Sequence, residues 1–306
     1  MICAPILHLS SITATLTHCP NPLLHAFRYT RANNVGKPNG GRRRFAPNAT
    51  SLELPLLPFN TTNEVLIPSE SKSLYLYEAR YLALLEESLL RKKKLFVHFV
   101  LDPILISNSG TEASFAARHG CLVTIEHTIF NLNLHSVFGR DVGALVSIRR
   151  IGRVKIVRFV QLQSNPYLKG EVIPWQDRDL CDASPLNSKV KAVVEALHSL
   201  NRLEIKLKAP KEELLQTGIA NSLEWAEKDP SVQCDVSFIP SLAERISFAA
   251  FQPISRSTQS EMFKLQQQKL RAMDAKDTFQ RLDDSLKLIN ENISLIAAKL
   301  EIQSIG

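Results

Sequence analysis

The chain has 306 residues, with 37 Lys or Arg against 30 Asp or Glu, and its formal net charge is +7. That charge is concentrated at the N-terminus, because the first fifty residues contain no acidic residue and six basic ones. The remainder carries a net charge of about +1, which gives it no global electrostatic attraction to nucleic acid. No run approaches the ~18–20 apolar residues of a membrane-spanning helix.

Residues 1–50 have the composition of an organelle transit peptide, which is poor in acid and rich in Ser, Thr and Arg. We predict a disordered presequence that directs the chain to the chloroplast stroma. Mitochondrial import is the alternative, and the low Arg density before Arg28 favours the chloroplast. A secretory signal fits less well, because no apolar h-region precedes a small-residue cleavage site. A disordered basic tail is the remaining interpretation.

Short strand patterns bounded by turn residues follow over 52–175. The run 95–101 is continuously apolar and ends at Asp102-Pro103, as expected of a buried strand. Four further strands are predicted at 120–125, 142–148, 153–156 and 168–173. Many short strands indicate a closed or partly closed β-barrel. One helix, at 78–91, interrupts them, with Leu82, Leu85 and Leu89 on one face, and we predict loops at 107–116 and 128–140, the second an insertion.

The period becomes helical over 187–303. Ser241 with Glu244, and Thr258 with Glu261, have the spacing of a capping box. The last helix carries a heptad seam of about three repeats, formed by Phe279, Leu282, Leu286, Ile289, Ile293, Ile296 and Leu300. We predict a helix of an intramolecular bundle, in preference to self-association through 279–300, because three heptads are near the minimum for a free coiled coil. The fold class is therefore α+β, a barrel followed by a helical bundle.

Candidate chemistry is sparse. No two of the later histidines have the i, i+4 spacing of a helical metal site, and Cys121, Cys181 and Cys234 form neither a disulfide framework nor a CxxC pair. We predict no metal and no cofactor. His119 and Cys121 would face the same side of a strand, which is a weak pattern for a Cys–His nucleophile and is equally typical of a structural strand.

Basic and aromatic residues alternate in two places, as they do in nucleic-acid surfaces. The first group is Tyr75, Tyr77, Arg80 and Tyr81, and the second is Arg149, Arg150, Arg153, Lys155 and Arg158. The competing interpretation is a helix start packed on a barrel and the solvated face of a strand. The nearly neutral charge after residue 50 favours that second interpretation.

Several motifs in one order resemble the N-terminal substrate-recognition domain of Lon proteases, from about Leu54 to Leu300. They are Leu54-Pro-Leu-Leu-Pro58, Val65-Leu-Ile-Pro68, Tyr77-Glu-Ala-Arg-Tyr81, Gly120-Cys-Leu-Val-Thr-Ile125, Asp141-Val-Gly143, Gly152-Arg-Val-Lys-Ile156 and Leu242-Ala-Glu-Arg-Ile246. Two positions depart from the family pattern. Ser69 replaces a glycine, and the strand 152–156 lacks the family's aromatic residue.

The resemblance implies a PUA-like β-barrel followed by helices, and a role in binding polypeptide substrates or partners. The family-signature residues, for which we expect structural roles, are Pro55, Pro68, Tyr77, Glu78, Arg80, Tyr81, Gly120, Gly143 and Gly152. We expect Glu78 and Arg80 to join the helix start to the barrel. Pro55 and Pro58 suit an edge strand, where a missing N–H is not needed.

The motifs of a Lon-type motor and peptidase are absent from the sequence. The one Gly-Lys pair, Gly36-Lys37, precedes a proline and is not a phosphate-binding loop, and no Ser-Lys peptidase string occurs. We therefore predict a stand-alone, plastid-type, non-catalytic member that binds unfolded clients, a separate protease or an adaptor in protein quality control. An RNA-binding module is the alternative, and a hydrolase built on Cys121, His119 and an acid ranks third.

Overall fold

The computed structural model describes residues 13–17, 26–30, 50–59, 65–106, 113–131, 143–160, 166–177, 183–208, 216–228 and 232–305. Strands dominate the first part of these residues and helices the second. The strands are β1 Thr13–Thr17, β2 Ala26–Thr30, β3 Leu52–Phe59, β4 Ser71–Leu76, β5 Leu95–Ile106, β6 Ala113–Asn131, β7 Gly143–Val160 and β8 Leu168–Pro174. The helices are α1 Ala79–Arg91, α2 Ala183–Lys208, α3 Gly218–Glu227, α4 Leu242–Ala249, α5 Gln259–Asp274 and α6 Thr278–Ile305.

Five strands pair in a closed ring. β6 pairs with β5 and β7, β5 pairs with β3 in parallel, β3 pairs with β8, and β8 returns to β7. β4 adds to β7 outside the ring, and the β1–β2 hairpin adds to β6. Register shifts along β6 and β7 let these long strands bend. The expected α+β architecture with a barrel and helices is confirmed.

Two apolar clusters hold the barrel together. The first fills the ring with side chains that are at most 5 % exposed, and it consists of Leu54, Leu56, Leu95, Val97, Phe99, Leu122, Ile151, Val154, Ile156, Val172 and Phe238. The second lies under α1, where Leu84 and Leu85 pack against Phe96, Val123 and Val146. The apolar spacing of α1 therefore does what an amphipathic helix on a barrel requires.

The edge position predicted for β3 is wrong, because β3 lies between β5 and β8. The strand moves from one neighbour to the other along its length. Pro55 is in register only with Lys169 of β8, and Pro58 only with Phe99 of β5. Each proline therefore has one unpaired side, where its missing N–H costs no ladder hydrogen bond.

Two predicted loops are partly strand. β6 begins at Ala113 and continues to Asn131, so it takes residues from both the 107–116 and the 128–140 segments, and the rest of those segments lies outside the described residues. At the end of β6 the alternation of apolar and polar residues is weak, because the apolar residue Ile129 occupies an exposed position. The strand prediction depends on that alternation.

The predicted presequence also contains strand. β1 and β2 lie within residues 1–50 and pair with each other, and β2 pairs with β6. Their sequences, TATLT and AFRYT, are rich in β-branched and aromatic residues, which favour strands. The predicted disorder is therefore wrong at these ten positions, which the structure describes as strand. Removal of the segment on import stays a prediction.

The helical half is an intramolecular bundle, as expected. Leu282, Ile289 and Ile296 of α6 are fully buried, and Leu286, Ile293 and Leu300 pack against the same cluster. Residues of α2 and α4 complete that cluster, among them Val193, Leu197 and Phe248. The seam of α6 is therefore occupied within the chain.

Both predicted capping boxes are helix starts, but only one is complete. At α5, the Thr258 hydroxyl accepts from the N–H of Glu261, and the Glu261 carboxylate accepts from the N–H of Thr258. At α4, Ser241 accepts from the N–H of Glu244 at 3.3 Å. The carboxylate of Glu244 does not turn back to the cap and instead binds a guanidinium of the barrel.

That guanidinium belongs to Arg153 of β7, which donates to Glu244 Oε1 at 2.7 Å and also binds Asp177. Arg281 of α6 binds the other oxygen of Asp177. The four side chains are at most 4 % exposed. We call Arg153, Asp177, Glu244 and Arg281 the charge cluster, and it joins the barrel, the segment after β8 and two helices.

Further hydrogen bonds support the charge cluster. Arg153 donates to the carbonyl of Ala275 at 2.6 Å, and Arg281 donates to the same carbonyl at 3.0 Å. Thr278 Oγ1 donates to Asp177 at 2.6 Å, and the Asp177 N–H donates to Glu244 at 3.2 Å. Two cations and two carboxylates are thus paired and hydrogen-bonded, as buried charges must be.

The solvated strand face expected around Arg153 is wrong. Ile151, Gly152, Arg153 and Val154 are all buried, because β7 is covered on one side by the barrel core and on the other by the helical half. Alternation of charged and apolar residues here marks two buried faces.

A second buried contact joins the halves beside β4. Lys269 of α5 binds Glu70 at 2.9 Å, and Arg150 of β7 lies 3.9 Å from the same carboxylate. Ser69 Oγ and Ser222 Oγ of α3 are hydrogen-bonded at 2.5 Å. Barrel and bundle are therefore joined by charges and hydrogen bonds at two separate places.

We expect Asp177→Asn to lower the free energy of unfolding by about 3–5 kcal/mol, because it leaves two buried guanidinium groups with one carboxylate. Asp283→Asn is the matched control, since Asp283 is 46 % exposed and binds Lys189 at the surface, where a pair contributes about 0–1 kcal/mol. Urea unfolding of both variants measures the difference, and equal losses would contradict a structural role for the charge cluster.

The charge cluster also makes stability dependent on pH. Burial raises the pKa of Asp177, but the charges of Arg281 and Arg153 outweigh burial and hold that pKa below its ordinary value of 3.8. A lowered folded-state pKa contributes stability above the unfolded-state pKa and loses it as the pH falls through the folded one. The free energy of unfolding should therefore decline below about pH 4–5, more steeply in the wild type than in Asp177→Asn. Parallel curves between pH 7 and pH 3 would contradict this.

Candidate polypeptide-binding surface

Three exposed apolar side chains lie in one row across the outside of the sheet. Tyr75 of β4 is in register with Leu145 of β7, and Leu145 is in register with Ile129 of β6. Their exposed fractions are 37 %, 39 % and 57 %. Directly opposed residues have Cβ atoms about 4.5–5.5 Å apart, so the three side chains form one continuous apolar row.

A polar row lies beside the apolar row. Ser73, Ser147 and His127 are in register on the same three strands, two positions away along each. Ser73 and His127 are exposed and Ser147 is half-buried. Neither row contains Asp, Glu, Lys or Arg, so the surface offers apolar contacts together with hydroxyl and imidazole groups. Such a surface suits an exposed apolar segment of a polypeptide.

Gly143 gives the apolar row its shape. A Cβ atom at Gly143 would lie within 2.6 Å of Cζ of Tyr75, so the Tyr75 ring lies over the glycine. The ring of Tyr77 follows at a centroid distance of 6.0 Å, within the range of aromatic pairs. Two family-signature residues, Gly143 and Tyr77, therefore border this surface.

The other signature glycines are sites of close approach between elements. A Cβ at Gly120 would lie 2.9 Å from the carbonyl oxygen of Val154. A Cβ at Gly152 would lie 2.7 Å from the carbonyl oxygen of Phe238, in the 3₁₀ turn Val236–Phe238. Gly120 permits the packing of β6 on β7, and Gly152 permits the helical half to approach β7.

Pro68 and Ser69 form a buried turn before β4. Ser69 has a φ of 72°, a left-handed conformation that glycine adopts most easily. The Ser69 N–H donates to the Arg150 carbonyl at 3.0 Å, and its hydroxyl binds Ser222. The position where the family has glycine thus keeps the glycine conformation, and the buried serine hydroxyl adds a contact with α3.

Glu78 and Arg80 do not join the helix start to the barrel as expected. Arg80 Nε donates to Glu78 Oε2 at 2.8 Å, and the two side chains are 27 % and 30 % exposed. The Arg80 guanidinium also lies 4.7 Å from the centre of the Tyr81 ring. The pair is local because residues two apart at a helix start are close enough to bind each other, and Tyr81 makes the contact with the core beneath α1.

The basic residues proposed for RNA binding are largely internal. Arg149, Arg150 and Arg153 are at most 6 % exposed. Arg149 binds Glu126 at 2.9 Å and the backbone of Ser69 at 3.1 Å. Lys155 and Arg158 are exposed, and Arg158 lies 3.4 Å from Glu171. Buried, paired cations cannot neutralise phosphates, so this segment does not form the basic patch that the RNA-binding alternative requires.

The proposed thiol nucleophile is also internal. Cys121 is 1 % exposed, and burial is the main reason why its pKa is raised to about 12. A neutral thiol in the barrel wall is a weak nucleophile. The residue in register with it on β5 is His98, which is buried and whose pKa is well below its ordinary value, chiefly through burial. The side chain of His119 lies outside the described residues.

Two open depressions lie on the helical half, and neither contains a cysteine or histidine. One, of about 570 Å³, follows α6 between Asp283 and Ser294, and one, of about 270 Å³, lies between α2 and α4. Within the described part of the chain, no three His, Cys, Asp or Glu side chains are grouped as metal ligands. Of the helices described, none has the length and apolar character that a bilayer crossing requires.

Leu145 and Ile129 were not predicted as surface residues, for different reasons. In the predicted strand 142–148, the buried residues Ala144, Val146 and Ile148 alternate with Leu145. The outward orientation of Leu145 could therefore have been predicted from the alternation. Ile129 falls in the segment predicted to be a loop. Its position opposite Leu145 depends on a long β6 that the local pattern does not indicate.

Comparisons with known proteins agree on one domain. The family model described as the ATP-dependent protease La (LON) substrate-binding domain matches residues 53–304. The N-terminal domain of the Mycobacterium avium complex Lon protease is 12 % identical, with a TM-score of 0.44, and the match covers 78 % of this chain and 98 % of that one. A Lon N-terminal domain protein from Xanthomonas campestris is 19 % identical, with a TM-score of 0.40, and covers 77 % and 98 %.

The comparison with curated proteins gives no match. The family model finds the substrate-binding domain and neither an ATPase nor a protease domain. Because its match spans well over half of the chain, the chain belongs to the LON substrate-binding domain family.

Proposed function

We propose that this protein is a non-catalytic recognition module that binds exposed apolar segments of unfolded polypeptides. The observation that carries the proposal is the family match over residues 53–304. The apolar row of Tyr75, Leu145 and Ile129 supports it with a surface of the required chemistry. Cys121, buried and protonated, supports a role without covalent chemistry.

The apolar row is too small to hold a client by itself. Covering a fully exposed Leu or Ile side chain is favourable by about 1.5–3 kcal/mol, and the three residues are only about half exposed. Their sum of roughly 3–4 kcal/mol corresponds to a millimolar dissociation constant. Tighter binding therefore requires further contacts beside the row, or several apolar segments on one client.

We also propose that the protein acts in protein quality control inside an organelle, with the chloroplast stroma as the first location and the mitochondrion as the alternative. The acid-free composition of residues 1–50 supports import. The partners would be unfolded clients, together with a separate protease or an adaptor that receives them.

When residues 1–50 are fused to a fluorescent protein and expressed in leaf cells, we expect the fusion protein to enter chloroplasts. The basic, acid-free composition of these residues is typical of organelle import signals. The control carries Arg42, Arg43 and Arg44 all replaced by Glu, which should prevent import. Fluorescence in mitochondria would support the alternative location, and fluorescence that stays in the cytosol would contradict import altogether.

Residues 51–306 should bind a labelled unfolded protein with an affinity that changes little with salt, because the apolar row carries no charge. We expect Ile129→Ser and Leu145→Ser each to weaken binding about tenfold, the equivalent of about 1.4 kcal/mol. Leu90→Ser is the matched control, since Leu90 is 74 % exposed on α1, away from the row. Fluorescence anisotropy across a salt series measures all three.

Single-stranded RNA in the same series tests the alternative. RNA binding that falls steeply with salt while unfolded protein is ignored would overturn the proposed function. Equal weakening by Leu90→Ser and Leu145→Ser would leave the recognition role but move it away from the apolar row.

A further inference from the structure

β4 is an edge strand. Among the described strands it pairs only with β7, and it stands at the end of the sheet order outside the closed ring. An edge strand presents a line of N–H and C=O groups that can pair with another extended chain. The two exposed side chains of β4 are Ser73 and Tyr75, which carry no charge that would repel an approaching strand.

The outward-facing backbone groups of β4 can be assigned by alternation. The Arg150 N–H donates to the Glu70 carbonyl at 3.1 Å, so Glu70 faces β7. The register from Ser71 to Leu76 is regular, and an antiparallel ladder alternates with a period of two. Lys72, Leu74 and Leu76 therefore direct their backbone groups to β7, and Ser71, Ser73 and Tyr75 direct theirs to the outer edge.

The outer edge is continuous with the apolar row. A strand added beside β4 would place one side chain in register with Tyr75, on the same face as Leu145 and Ile129. The row would then extend from three strands to four. The next position along the added strand would lie beside Ser73, in line with Ser147 and His127, where no charged group is required.

We propose that the client polypeptide binds as an extended strand hydrogen-bonded to the outer edge of β4, with a bulky apolar side chain placed beside Tyr75. This inference rests on the proposed function and specifies its mode of binding. Main-chain hydrogen bonds supply the contact that the apolar row lacks and are independent of client sequence. The row supplies selectivity for an uncharged, apolar residue at one position, so the substrate class is extended apolar segments.

Ser73→Pro tests the edge directly. It removes one outward N–H and no hydrogen bond to β7, and proline is tolerated on an edge strand when its N–H side faces solvent. Ser73→Ala is the matched control, because it removes the hydroxyl and keeps the N–H. We expect Ser73→Pro to bind a labelled, unstructured Val- and Phe-rich decapeptide at least tenfold more weakly than Ser73→Ala does, since the two variants both lack the hydroxyl and differ in the outward N–H.

A second probe does not depend on the folding of the variant. The same decapeptide, N-methylated at alternate residues in its two possible phases, is titrated against the wild-type chain. One phase should lose binding and the other keep it, because only every second N–H of an added strand faces β4. Equal binding of all three peptides would overturn strand addition while leaving the proposed function intact.

Two other results have distinct meanings. If the wild type binds neither the decapeptide nor unfolded protein, the proposed function itself fails. The inference is overturned if three results occur together: the wild type is a dimer by light scattering, Ser73→Pro is a monomer, and the wild type does not bind the decapeptide. The outer edge of β4 would then pair with a second copy of this chain.

Discussion

The charge cluster is the constraint on which the rest of the structure depends. Arg153 and Arg281 are fully buried, and their neutralisation requires Asp177 from the segment after the barrel and Glu244 from α4. Removing either carboxylate leaves a cation without its pair in a medium where solvation is lost. The barrel and the helical bundle are therefore one stable unit, although each has an apolar cluster of its own.

The candidate surface lies outside the charge cluster, on a strand that the charge cluster helps to hold in place. β7 runs through the whole arrangement: Leu145 lies near its start in the exposed row, and Arg153 lies further along inside the charge cluster. The strand is held along its length by β4, β6 and β8. Exposed apolar side chains can be maintained on such a strand because the stability of the fold comes from elsewhere.

Local patterns predicted what depends on neighbouring residues. The seam of α6 and the capping of α5 could be predicted because the residues that form them are three or four positions apart. Leu282, Ile289 and Ile296 are buried as predicted. The buried position of Arg153 could not be predicted, because its partner Glu244 is 91 residues away in the sequence. A charged residue in an alternating strand normally faces water. The surface was half readable: Leu145 follows from alternation, whereas Ile129 requires the register of β6 with β7.

The second buried contact has a consequence for the order of folding. Glu70 and Lys269 are separated by 199 residues, and β3 must find β8 across more than a hundred. Closing loops of such length costs conformational entropy before the contacts form, which makes folding slow. The barrel does not reach its final state until α4 and α5 have been made, because Glu244 of α4 pairs with Arg153 and Lys269 of α5 pairs with Glu70. The contacts that join the barrel to the bundle therefore form only after the chain as far as Arg281 of α6 has been made.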